Sequence, residues 1–182
     1  MDGVRPHQQV PVQFSVYKLD AAGSLTHAEF LAEGPGERRA LVQSLRKVIG
    51  DSGHCISWNK SFEIGCNRGL ASSFSEYAGF LESINERTID LMEVFKRDYV
   101  DIRFGRSTSI KKVLPILCPE LSYDELTVEN GANAMAAWLS MSKETDHVFK
   151  ARYRKQLLEY CKLDTFAMVE IYRFLLRFVQ EG

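Results

Sequence analysis

Asp164 stands out because of the company it keeps. Projecting the last helical stretch at about 100° per residue puts it near the middle of an apolar face, with Leu157, Tyr160, Cys161, Ala167, Met168 and Ile171 within about 60° of it. Lys155, Glu159, Lys162, Glu170, Arg173 and Arg177 take the opposite side. A carboxylate so placed faces protein. Burying it ionised is costly unless a cation, a metal or several donors compensate. Two readings follow, a structural ion pair or cap contact on one side and a metal ligand on the other. Tyr160 lies one turn earlier on the same face, so phenol and carboxylate address one small volume. Alone that spacing says little, since tyrosines on half-buried helix faces usually pack.

A second constellation is Trp58-Asn59-Lys60-Ser61-Phe62-Glu63. An apolar strand runs into Asn59, which can cap a helix through its side chain, and Glu63 then sits in the first turn. The plain reading is a cap with an acidic first turn. A third is basic: Arg103, Arg106, Lys111 and Lys112 surround Ser107, Thr108 and Ser109 at a helix start, where backbone N–H groups and the helix dipole favour phosphate. Asp98 and Asp101 lie close enough to dilute that field, so a solvated charged loop is the competing reading. Asp90 is either a margin residue of the same site or a solvated helix residue or cap.

These residues need elements to hold them. Hydrophobic residues make up 45% of the 182-residue chain and charged residues 26%, the balance of one globular domain. Twenty-three basic residues nearly cancel twenty-four acidic ones, so nucleic-acid binding has to be local. The four cysteines, Cys55, Cys66, Cys118 and Cys161, have no zinc-ligand spacing and read as thiols of a cytoplasmic protein. No apolar run is long enough to span a bilayer. Residues 1–11 read as an irregular lead-in. Alternation over 12–19 and 25–31 predicts an antiparallel hairpin, and helical spacing over 37–49 a helix ending at Gly50. Residues 54–58 form a short buried strand, and hairpin and strand together predict one α/β sheet. Helices are predicted over 62–74, 77–96, 109–117, 131–142 and 147–178.

At two places the chain resembles the DEDD (DnaQ-like) 3′→5′ exonucleases, which carry a strand ending in Asn-x-x-Phe-Asp and a late helix with Tyr-x-x-x-Asp. Here these are Asn59 to Glu63 and Tyr160 to Asp164. Ile89-Asp90-Leu91 and Ser109-Ile110-Lys111 resemble intervening family segments, in order, over residues 12–178. It is also similar to a bacterial family pairing such a domain with a RecB-type nuclease region. The matching strings are Arg5-Pro6-His7-Gln8-Gln9, Asn59 to Glu63, Ser109 to Pro115 and Glu159 to Thr165.

The resemblance implies a ribonuclease H-like mixed sheet flanked by helices, and two Mg²⁺ or Mn²⁺ ions hydrolysing phosphodiesters at single-stranded 3′ ends of DNA or RNA. It implies Glu63 and Asp164 as metal ligands and Tyr160 as the residue orienting water. The expected substrate-binding residues are Asn59, Phe62, Arg106, Ser109, Lys111 and Lys112. Glu63 stands where the family has aspartate. No aspartate in the chain is followed two positions later by glutamate, so the family's Asp-x-Glu strand is missing. The expectation is an exonuclease-like domain over 12–182 lacking its first strand, silent alone, its sheet edge at 12–19 open to covering or self-association. The alternative is a non-catalytic module that binds nucleic acid or a partner.

Overall fold

Alternation puts Phe14 and Val16 on one face of the first strand and Gln13, Ser15 and Tyr17 on the other. The expected hairpin forms. In this computed structural model, which describes residues 10–123, 126–128 and 130–181, β1 (Gln13–Leu19) pairs antiparallel with β2 (Leu25–Leu31). Asp20 shapes the turn by accepting from the backbone N–H groups of Ala22 and Ser24, and Gly23 adopts a φ of +85°. A short 3₁₀ turn at Pro35–Glu37 leads into α1 (Arg38–Ile49), and Gly50 ends it at a φ of +67°. Leu41, Val42 and Leu45 of α1 bury themselves against Phe14, Val16 and Phe30.

The rest of the chain runs β3 (Cys55–Ser57), α2 (Lys60–Ser73), α3 (Ala78–Arg87), β4 (Thr88–Asp90), α4 (Met92–Arg97), α5 (Ile110–Leu117), α6 (Gly131–Lys143) and α7 (His147–Glu181). The fold is mixed α/β. Two expectations need correcting. Residues 77–96 are not one helix, because the chain leaves helical geometry after Arg87 and forms β4. Thr88 and Ile89 are β-branched, and the Thr88 hydroxyl donates to the Ile84 carbonyl at 2.6 Å, occupying an acceptor of the last turn. Arg87 meanwhile donates to the carbonyls of Gly50, Ser52 and Gly53, tying this end of α3 to the loop before β3.

Nor is there a single sheet. β3 pairs parallel with β4, with Cys55 opposite Thr88 and Ser57 opposite Asp90, while the hairpin stays a separate two-stranded sheet. The two sheets nevertheless share a core: Cys55 of β3 and Phe14, Val16 and Phe30 of the hairpin pack on the same cluster from α1, α2 and α3. Val10, at the end of the lead-in, is buried with Val12, Leu31, Trp138, Met141 and Leu157. Residues 1–9, including the Arg5 to Gln9 string, lie outside the described residues.

The 35-residue α7 runs through the molecule as a spine, packing on α6 and the hairpin along one part and on α5 along another. Its middle lies along the open edge of β1. Ala32 N–H donates to the Val12 carbonyl, so by antiparallel alternation the backbone groups of Gln13, Ser15 and Tyr17 point away from β2. At that edge the Thr165 hydroxyl, which donates to the Cys161 carbonyl at 2.8 Å, lies 3.4 Å from the Ser15 carbonyl, and the Gln13 side chain donates to the Leu157 carbonyl. The edge is covered in part by α7. Among the described residues no helix is long and apolar enough to cross a membrane.

Candidate functional site

Because β3 and β4 are parallel, their carboxyl ends open at one place, and the helices that follow start there. Leu91 N–H donates to the Ser57 carbonyl at 2.8 Å. One oxygen of Asp90 accepts from Lys60 N–H at 3.0 Å and the other from Met92 N–H at 3.1 Å. Asp90 thereby holds the starts of α2 and α4, the work of a cap. Asn59 accepts from Phe62 N–H at 3.2 Å, as its place after the strand predicts. The Trp58 indole donates to the Thr108 carbonyl at 3.0 Å, bringing the start of α5 beside that of α2.

Across from these helix starts lies the middle of α7. Tyr160 is buried and Asp164 half-buried, as the apolar face on which they sit requires. The Asp164 carboxylate meets two phenols, those of Tyr160 and Tyr123. Both lie near enough to stabilise its negative charge, as does Lys111, yet burial outweighs all three and raises its pKa. Asp164 Oδ1 and the Tyr123 hydroxyl are buried without a hydrogen-bond partner among the described residues. Orphaned groups of this kind cost about 1–3 kcal/mol each, and more when charged. The same burial, together with the Asp164 charge, pushes both phenols up. The Lys111 ammonium stands 5.0 Å from the ring centroid of Tyr123 and 5.1 Å from that of Tyr160.

Glu63 shows a different combination. It is exposed, yet desolvation raises its pKa. Glu63 and Asp164 both act on the Cys161 thiol, which burial first and then these charges and Glu29 push up to about 12, against a lowering hydrogen bond from Gln13. The two expected metal ligands therefore lie within electrostatic reach of one thiol.

The basic loop divides. Arg103 is bound to Asp101 through several hydrogen bonds, Lys111 is held by the two tyrosines, and Arg106 and Lys112 are exposed. Arg106 has a φ of 65°, the left-handed region that non-glycine residues rarely adopt. Ser109 caps α5 by position without a side-chain cap bond, and its N–H donates to the Ser107 hydroxyl. Phe62 is 48% exposed on the first turn of α2. Sequence reasoning missed Tyr123 and Gln13. Tyr123 lies in an irregular segment with no periodicity, and Gln13 reads as the polar half of a strand alternation.

The resemblance implies Mg²⁺ or Mn²⁺ here. The orphaned Asp164 Oδ1 is the kind of acceptor such an ion takes. However, among the described residues no group of three or more His, Cys, Asp or Glu side chains could hold a metal ion. Two carboxylates fall short of what hydrated Mg²⁺ requires, so the residues present do not fit that ion.

The fold is a mixed α/β domain with a parallel strand pair whose carboxyl ends carry the capping groups Asn59 and Asp90. The chain belongs to the family described as Domain of unknown function (DUF2779), which it matches over residues 1–109. That match takes in the hairpin, the Asn59 to Glu63 segment and Asp90, and it stops short of Lys111, Tyr123, Tyr160 and Asp164. No curated protein and no solved structure is significantly similar to the chain.

Proposed function

We propose that the chain is an exonuclease-like domain of ribonuclease H-like fold, acting at single-stranded 3′ ends of DNA or RNA, and that its 182 residues supply only part of the catalytic site. The observation that carries this reading is that Glu63 of the Asn59 to Glu63 segment and Asp164 of the Tyr160 to Asp164 segment both lie within electrostatic reach of the Cys161 thiol. The two segments lie about a hundred residues apart in sequence, and each resembles a motif of the same nuclease class.

In this reading Tyr160 orients the attacking water, and the carboxylates of Glu63 and Asp164 supply negative charge. The exposed ring of Phe62 offers a stacking face for a terminal base. Arg106 and Lys112 carry free charge toward the phosphates. A second reading, a non-catalytic module binding nucleic acid or a partner, is favoured by one observation: Lys111 already supplies positive charge beside Asp164.

A time course with a 5′-labelled single-stranded oligonucleotide separates them. The 182-residue chain is expected to bind the oligonucleotide and leave it intact. With a strand bearing Asp-x-Glu appended at its N-terminus, it is expected to shorten the oligonucleotide from the 3′ end in Mn²⁺ and to stop in EDTA. Binding without shortening in both forms establishes the module, and absence of binding in both rejects the nucleic-acid reading.

A further inference from the structure

The inward face of α7 does not stop where the core stops. Met168, Ile171, Phe174 and Leu175 pack on the cluster built with α4 and α5, and at spacings of three and four residues the same face continues through Phe178 and Val179. There the cover runs out, for Leu176, Phe178 and Val179 are 43%, 55% and 77% exposed. Beside them lies the loop that follows α4. The Tyr99 ring packs on Phe174 and Phe178, with centroids 5.9 and 5.2 Å apart, and on Phe104 at 6.2 Å. Between Tyr99 and Phe104 the chain carries Val100 at 82% and Ile102 at 95% exposure, the two least covered large apolar side chains among the described residues. Each lies within two residues of one of those anchored rings, about 7 Å of chain, so the loop and the helix end share one apolar surface.

At those exposures the five residues present roughly 600 Å² to water, the upper end for one patch on a lone chain and about three-quarters of one side of a standard protein interface. Two copies face to face would remove roughly 1,200 Å², above the ~1,000 Å² that a specific interface has to clear. The charges at its border are matched within the chain: Arg97 pairs with Glu93, Arg103 with Asp101 and Arg173 with Glu170. The border therefore has no strong sign with which to select an acidic or a basic partner. A twofold contact asks only that one patch complement itself, and apolar surface does so.

We propose that the end of α7 and the loop 99–104 form a twofold interface between two copies of this chain, with Val100, Ile102, Phe178 and Val179 at its centre. The surface is distinct from the edge of β1, and it takes nothing from the nuclease reading. Analytical ultracentrifugation of the 182-residue chain over a range of concentrations tests it. A concentration-dependent dimer is expected, and one that keeps its strength at roughly 1 M NaCl, because salt screens charge pairs and not apolar burial. Ile102→Glu combined with Val179→Glu alters two side chains that lie largely in water in the single chain. Its circular dichroism and Tm should match the unaltered chain, while dimerisation weakens at least about 100-fold. Val148→Glu, at a valine 76% exposed near the other end of α7, should leave the dimer intact. Should the double variant misfold, Ile102→Glu alone decides, with a weakening of about tenfold expected. A dimer that these variants leave unchanged, or that Val148→Glu weakens as much, overturns the inference. So does a chain that stays monomeric up to about 100 μM, and cosedimentation of that monomer with phosphatidylcholine vesicles would give the patch to a membrane surface instead.

Discussion

Two buried polar clusters lie within this one domain and are built on opposite terms. Between α2 and α3, Asn67 donates to Asn85 at 2.8 Å and Asn85 donates to Glu82 at 2.9 Å, so amide meets amide and the chain of bonds ends at a carboxylate near the surface. Beside α7, Asp164 and Tyr123 face one another with buried polar atoms left unpaired, and Gln13 Oε1 on the adjoining strand is unpaired too. The first cluster is what a stable fold asks of a buried polar group. The second leaves free energy uncollected, at the end of a parallel strand pair where α/β proteins put ligands. The difference separates a cluster whose bonds help hold the fold from one whose polar atoms are left unpaired among the described residues.

The largest effect should come from breaking the satisfied cluster. Asn85 is 4% exposed, and Asn85→Ala removes the acceptor of Asn67 and the donor to Glu82 at once. A loss of about 2–3 kcal/mol is expected, because the orphaned Asn67 amide stays buried. Urea titration followed by circular dichroism measures it. A loss under about 0.5 kcal/mol, the scale of ordinary surface substitutions, would mean that this network does not hold the helices together.

The opposite sign is expected on the other side. Burial raises the folded-state pKa of Asp164 above its ordinary 3.8, so the folded protein favours the protonated acid. That stabilising contribution is fully present below the unfolded pKa and is lost as pH rises through the folded one, with the pull of Lys111 already included in the balance. At neutral pH the ionised carboxylate therefore weakens the fold. Asp164→Asn should raise Tm at pH 7 by a few degrees, the scale of about 1 kcal/mol in a domain of this size. The gain should shrink as pH falls through the raised pKa. Thermal melts at pH 7 and pH 4 check it, and a lower Tm at pH 7 would place Asp164 with the satisfied groups.

Much of this arrangement is legible in the sequence, and the parts that are not share a cause. The hairpin, α1, the Asn59 cap and the inward face of α7 are written in local periodicity and capping chemistry, which neighbouring residues largely decide. β4 is hidden because Thr88-Ile89-Asp90 is three residues long and lies inside a helical spacing. Only Thr88 and Ile89 side by side hint at extension, and the strand exists because β3 offers an edge. The division into two sheets and the burial of Val10 are likewise tertiary outcomes. In the candidate site, motif spacing singles out Glu63, Tyr160 and Asp164. It does not find Tyr123, whose part depends on where an irregular segment comes to rest. It also treats Lys111 and Lys112 as equivalent, which the aromatic cage prevents.

That inequivalence supports the smallest and sharpest prediction, the salt dependence of oligonucleotide binding. A cation that neutralises a phosphate releases a counter-ion, and each such contact adds about 0.7 to the slope of log affinity against log salt for single strands. Lys112 is exposed, so on the proposed function Lys112→Ala should lower the slope by about that amount and weaken binding alike across sequences. Lys111 is engaged by Tyr123, Tyr160 and Asp164 before any strand arrives, so Lys111→Met should leave the slope unchanged. Fluorescence anisotropy of a labelled oligonucleotide over a range of KCl concentrations gives both slopes. If both variants lower it equally, Lys111 is a phosphate contact after all and the cage opens to the strand. If neither does, the positive charge that grips the backbone lies elsewhere, and the start of α5 loses its place in the site.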